Sequence, residues 1–128
     1  WFLEPVGNDY IKLKESLSQR SMDALMTHSI NPTQYTMFGM MIASHLTWAT
    51  GIKHELTDLK HNIGDYHIYD RHLQFVPELL ERSAFLDAKQ PIIKLDVVKN
   101  FYDIIWDDFE IVGYEKPQPL SGKLEIAI

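Results

Sequence analysis

From Ile11 to Ser21 the chain changes face at every residue. Ile11, Leu13, Glu15, Leu17 and Gln19 fall on one side, and Lys12, Lys14, Ser16, Ser18 and Arg20 on the other. That is the period of a β-strand. Trp1-Phe2-Leu3 reads as a shorter strand, and Pro5 to Asp9 as a turn, so the first two strands are expected to pair as a hairpin. This places Arg20 and Ser21 at a strand's end, where ligand-contacting residues often collect.

After the strand the period changes. Asn31-Pro32 is a helix start, with Asn as the cap and Pro at the first helical position, and Gly51 is its stop. Tyr35, Phe38, Met41, Ile42, Leu46 and Ala49 recur at helical spacing, while Met37, Met40 and Trp48 fill the other faces. A helix apolar nearly all round is expected to be buried. Leu56 to Ile63 reads as a strand, and Tyr69 starts a second helix that Pro77 should kink or shorten. Pro91 to Leu95 and Phe109 to Tyr114 are short strands joined by a polar-aromatic connection. These elements predict an α+β fold, a mixed β-sheet covered by helices, forming a single domain over residues 1–128.

Composition narrows the function. The formal charge is −6 with no run of Lys or Arg, which argues against a nucleic-acid partner. An anionic ligand then needs local positive groups. With no cysteine among 128 residues, disulfides and thiolate metal sites are excluded. The most apolar run, Met37 to Ala49, is too short to cross a bilayer, so no membrane partner and a cytoplasmic location are expected.

One stretch carries the groups a small anion needs. Arg20 offers a planar fork that can donate two parallel charge-assisted hydrogen bonds to a phosphate, and Ser21 adds a hydroxyl. Asp23 follows two residues later. The Asn31 amide presents a donor and an acceptor side by side, matching the N3–H and O4 edge of uracil and mismatching cytosine. Together these groups can hold a pyrimidine nucleotide by its two ends. Each also has an ordinary reading: a surface ion pair for Arg20, a turn or cap for Asp23, a helix cap for Asn31. His67 and Tyr69 lie two apart and share a face of an extended segment, which alone suggests a satisfied polar pair. Scattered histidines show no metal-ligand spacing, so no metal is expected.

Four segments carry a resemblance. Gln19-Arg20-Ser21-Met22-Asp23, Asn31 with Tyr35, Gly64-Asp65-Tyr66-His67-Ile68-Tyr69, and Asp107 to Tyr114 with the terminal Ala127-Ile128 resemble the Q-R-S-x-D, N-x-x-x-Y, G-D-x-H-x-Y and tail motifs of the thymidylate synthase family. They stand in the family's order, and the resemblance covers its C-terminal half. It implies that Gln19, Arg20, Ser21, Asn31, His67 and Tyr69 bind the substrate dUMP. Arg20 and Ser21 would hold its phosphate, Asn31 would read uracil, and His67 and Tyr69 would donate to the sugar 3′-hydroxyl. It implies that Asp23 is catalytic and contacts the cofactor by orienting the folate ring, and that Ala127 belongs to a tail closing over the folate. The cosubstrate would be 5,10-methylenetetrahydrofolate and the assembly a homodimer completed by an N-terminal half.

In that family a cysteine thiolate attacks C6 of uracil, and C5 then attacks the folate methylene. A hydride from the folate leaves a methyl group and dihydrofolate. With no cysteine here, the segment is expected to bind but to be inactive alone. Thr27-His28-Ser29-Ile30 replaces the family's usual G-L-P-F stretch, which keeps open a deoxynucleotide hydroxymethylase. A non-catalytic structural or dimerising module is the alternative from another class.

Overall fold

The computed structural model describes residues 1–83, 90–114 and 118–124. Two strands open it: β1 (Phe2–Pro5) and β2 (Tyr10–Asp23). They form the expected antiparallel hairpin, with Phe2 opposite Lys14 and Pro5 opposite Ile11. Helix α1 (Ile30–Thr50) then carries the chain across the sheet to β3 (Lys53–His67), which pairs with β2 in parallel. A parallel pair needs such a crossover, because its strands start at the same end. The sheet order is β1-β2-β3, mixed as the sequence predicted, and the fold is α+β. Beyond it come a 3₁₀ segment at Asp70–Phe75, helix α2 (Val76–Ser83) and a separate hairpin of β4 (Ile92–Leu95) with β5 (Phe109–Val112).

Strand alternation decides which side α1 covers. Leu13, 1% exposed, and Glu15 point under the helix, while Ser16, Ser18 and Arg20 stay in solvent. Burying a leucine side chain contributes about 1.5–3 kcal/mol. Gly39 makes the close approach possible: a Cβ there would lie 2.9 Å from a Glu15 carboxylate oxygen and from a Leu56 methyl. Ser44, buried on the same helix, donates to the Val97 carbonyl at 2.7 Å and accepts from Lys99 N–H at 3.1 Å, which docks the segment after β4 along α1.

Several expectations change. Helix α1 is not buried all round: Gly39, Ala43 and Ser44 are its buried residues, whereas Phe38 is 41% and Trp48 53% exposed. Among the described residues, α1 is covered on the sheet side, by β4 and along the 97–101 segment, with Trp1 and Phe101 edge to face against Phe38. The uncovered face of the sheet is polar rather than apolar, with Asn62 donating to Ser16 Oγ at 3.3 Å. Asn31 is not the cap of α1. The helix begins one residue earlier, out of a turn in which Asn31 N–H already donates to the Thr27 carbonyl at 3.0 Å. Pro32 therefore falls inside the first turn, where its missing N–H costs nothing. Tyr69 does not start a helix; it is extended, and a 3₁₀ segment follows it. Pro77 does not kink α2, because the helix starts at Val76 and places Pro77 in its first turn. Gly51 ends α1 as expected, with φ +71° and its N–H on the Thr47 carbonyl, a left-handed cap for which glycine is suited.

Candidate functional site

Asp23 stands at the C-terminal end of β2, directly beside His67 at the end of β3. Ser21 pairs with Asp65 and Gln19 with Ile63 in the same register. Residues two apart on a strand share a face, so Gln19, Ser21 and Asp23 line up with Asp65 and His67. The glycine before Asp65 has a reason: a Cβ on Gly64 would meet the Arg20 carbonyl oxygen at 2.9 Å. Any side chain there would force the two strands apart at the level of the site.

The Asp23 carboxylate organises the loop that follows it. One oxygen, Oδ1, accepts from Leu25 N–H and Met26 N–H, both at 2.7 Å. The Asp23 carbonyl accepts from Thr27 N–H at 3.2 Å and from its hydroxyl at 3.0 Å. Ala24 N–H donates to the His67 carbonyl at 2.8 Å, tying this loop to β3. Its tip is tied as well, with His28 Nδ1 3.2 Å from the Tyr66 hydroxyl. Thr27-His28-Ser29-Ile30 thus forms an ordered, hydrogen-bonded entry to α1.

Oδ2, the other oxygen, faces His72 Nδ1 at 3.6 Å. His72 is 1% exposed. Its ring meets Tyr69 edge to face at 5.8 Å, and Tyr69 meets His67 in the same manner at 5.1 Å. His67 Nδ1 lies 3.2 Å from an Asp65 carboxylate oxygen, and the Arg71 guanidinium sits 5.5 Å from the Tyr69 ring centroid. The structure therefore brings together Asp23, His67 and Tyr69 among the expected residues. It adds His72, Asp65 and Arg71, which the sequence reading did not assign. Asp65 carried a signal, because it lies two residues before His67 on one strand. His72 had only its spacing from Tyr69.

The remaining candidates are placed differently. Gln19 is engaged: its amide donates to the Ser21 carbonyl at 2.9 Å, and its oxygen lies 3.0 Å from His61 Nε2. Arg20 projects from the opposite, solvent-exposed face of β2. Among the described residues its guanidinium has no ion-pair or hydrogen-bond partner, and neither does the half-buried Asn31 amide in the first turn of α1. Ala127 and Ile128 lie outside the described residues. Among the described residues no group of three or more His, Asp or Glu side chains is arranged to hold a metal ion, and no helix is long and apolar enough to cross a membrane. A cavity of about 430 Å³ lies away from this cluster, between α1, the start of β3 and β4, lined by Ser44, Thr47 and His54 among others. A smaller one of about 240 Å³ borders Arg71, His72, Gln74 and Lys123.

Comparison with known proteins matches residues 4–126 to the family described as thymidylate synthase. A thymidylate synthase of Lactococcus lactis subsp. cremoris is 38% identical over 120 residues, which is 92% of this chain and 40% of that protein. One from Streptococcus pyogenes serotype M5 is 40% identical over 116 residues, 89% of this chain and 38% of that protein. The chain thus spans about two fifths of the length of the curated relatives it matches.

Proposed function

The chain belongs to the thymidylate synthase family, and from that premise we propose that it is the C-terminal part of a cytoplasmic synthase converting dUMP to dTMP with 5,10-methylenetetrahydrofolate. Arg20 and Ser21 serve as phosphate ligands, and the Asn31 amide reads the uracil edge. His67 and Tyr69 hold the sugar hydroxyl, and Gln19 orders the strand beside them. Asp23 faces the folate, and the tail at Ala127 closes over it.

The observation that carries this reading is the parallel register that sets Asp23 beside His67, with the Tyr69 ring edge to face against His67. Three groups from two strands and a following loop converge at one sheet end, as a ligand held at several points requires. Among the described residues, the charged fork of Arg20 and the amide of Asn31 are both left uncommitted. In a chain of charge −6, an unpaired Arg is a resource for an anion. Because Asp23 uses Oδ1 on the backbone, its ligand-facing capacity is Oδ2.

The covalent step is not within reach of these residues. Attack on C6 needs a thiolate, and the chain has no cysteine. A nucleophile from the rest of the synthase then forms and later breaks the bond to C6, while this segment positions the nucleotide. The exposed outer face of α1 fits the same picture as a seat for the N-terminal half, within a homodimer. Mass spectrometry of products from a full-length protein containing this segment tests the reading. A methylated product supports it; a hydroxymethylated one would transfer the assignment to a deoxynucleotide hydroxymethylase. The 128-residue chain alone should show no turnover of dUMP.

A further inference from the structure

The Asp23 carboxylate is half fixed by the backbone and half by a side chain that no motif assigned. Oδ1 is saturated by two short N–H donors. These two bonds define a pivot, about which Oδ2 can still swing. What meets Oδ2 is the ring of His72, at 3.6 Å. That distance is too long for a hydrogen bond and short enough for the ring to pack directly against the carboxylate. Both groups are buried. The backbone of His72 is also tied in, its N–H donating to the Tyr69 carbonyl at 2.8 Å. His72 therefore touches the acid on one side and the Tyr69 ring on the other.

We propose that His72 is a positioning residue, one buried imidazole that sets both the free oxygen of Asp23 and the ring of Tyr69. The inference rests on the reading above, in which Asp23 faces folate and Tyr69 faces the sugar. It adds that the two ends of the site are coupled through a single side chain. Among the described residues, the groups around His72 include Asp23 from β2, Tyr69, Arg71 and Gln74 from its own segment, and Lys123. His67 and Asp65 follow behind Tyr69.

Nuclear magnetic resonance of the chain tests this directly. Through-space contacts should link the His72 ring to both the Asp23 and the Tyr69 side chains, and the Asp23 carboxyl and Tyr69 ring resonances should both move in His72→Leu. A His72→Gln variant keeps much of the shape and a donor, and should move both less. In a full-length synthase carrying the segment, His72→Gln should raise the KM of both folate and dUMP by about tenfold with kcat less affected, and His72→Leu should raise both further. Asp23 or Tyr69 resonances left unmoved by His72→Leu, or a rise in only one of the two KM values, would overturn the proposal. If the variants do not fold, the nitrogen spectrum of the unaltered chain decides. A proton on Nδ1 supports the proposal, and a bare Nδ1 facing the carboxylate contradicts it. Failure of the functional reading has a separate mark: wild-type protein that binds neither dUMP nor folate, whatever the resonances of the variants show.

Discussion

The sheet end at Asp23 and the outward face of α1 belong to the same strand–helix–strand unit, yet they are satisfied to different degrees. At the sheet end, polar groups are buried and mostly answered: Asp23 Oδ1 holds two N–H donors, the loop is bonded to β3, and His72 is packed between Asp23 and Tyr69. On α1, the large apolar side chain of Trp48 faces outward, 53% exposed. The chain finishes the place where chemistry needs fixed geometry and leaves open the place where another surface fits. Local hydrogen bonds build the first from neighbouring residues. The second needs apolar area from beyond these elements.

Three changes break or sharpen that contrast. Asp23→Ala should have the largest effect, a loss of about 3 kcal/mol, because the Leu25 and Met26 N–H groups both lose their acceptor and the buried site loses packing. Thermal unfolding checks it, and Asp23→Asn should recover part of the loss by restoring an acceptor for Leu25 and Met26. Between the two regions lies Glu15, a buried acid with one oxygen unpartnered under Gly39. Burial pushes its pKa up. The folded state therefore holds the proton more tightly than the unfolded chain. Stability from this group is full below the ordinary glutamate pKa and is lost as pH rises from there through the raised value. Glu15→Gln should flatten that fall and stabilise the chain near neutral pH by about 1 kcal/mol. A denaturation series against pH reads this out, and an unchanged slope would show that Glu15 finds a partner. The smallest effect belongs to the open face: Trp48→Ser should shift the stability of this chain by less than about 0.5 kcal/mol. A large loss would mean that the face is already packed here.

Much of this was legible in the sequence, and the misses have physical causes. Alternation from Ile11 to Ser21 located β2 and its covered face, and Gly51 marked the end of α1. Asn31 was expected as the cap and is not, because Asp23 organises the preceding turn through backbone bonds that no local signal announces. Tyr69 was misread as a helix start because a 3₁₀ segment and α2 run on from one another, blurring the period. For the site, strand register was the hidden quantity. The sequence holds Asp23 and His67 far apart, and only the parallel pairing of β2 with β3 sets them side by side. His72 was invisible for a related reason: its importance lies in a contact with a residue of another strand.

The central claim is that Arg20, Ser21, Asn31, His67 and Tyr69 were shaped around a uracil nucleotide. Titrating the chain with dUMP while following amide and side-chain resonances tests it most directly. Saturable shifts should concentrate at Arg20, Ser21, the Asn31 amide group, His67 and Tyr69, and should vanish in Arg20→Ala. Shifts that cluster elsewhere, or that persist unchanged in Arg20→Ala, would contradict the account.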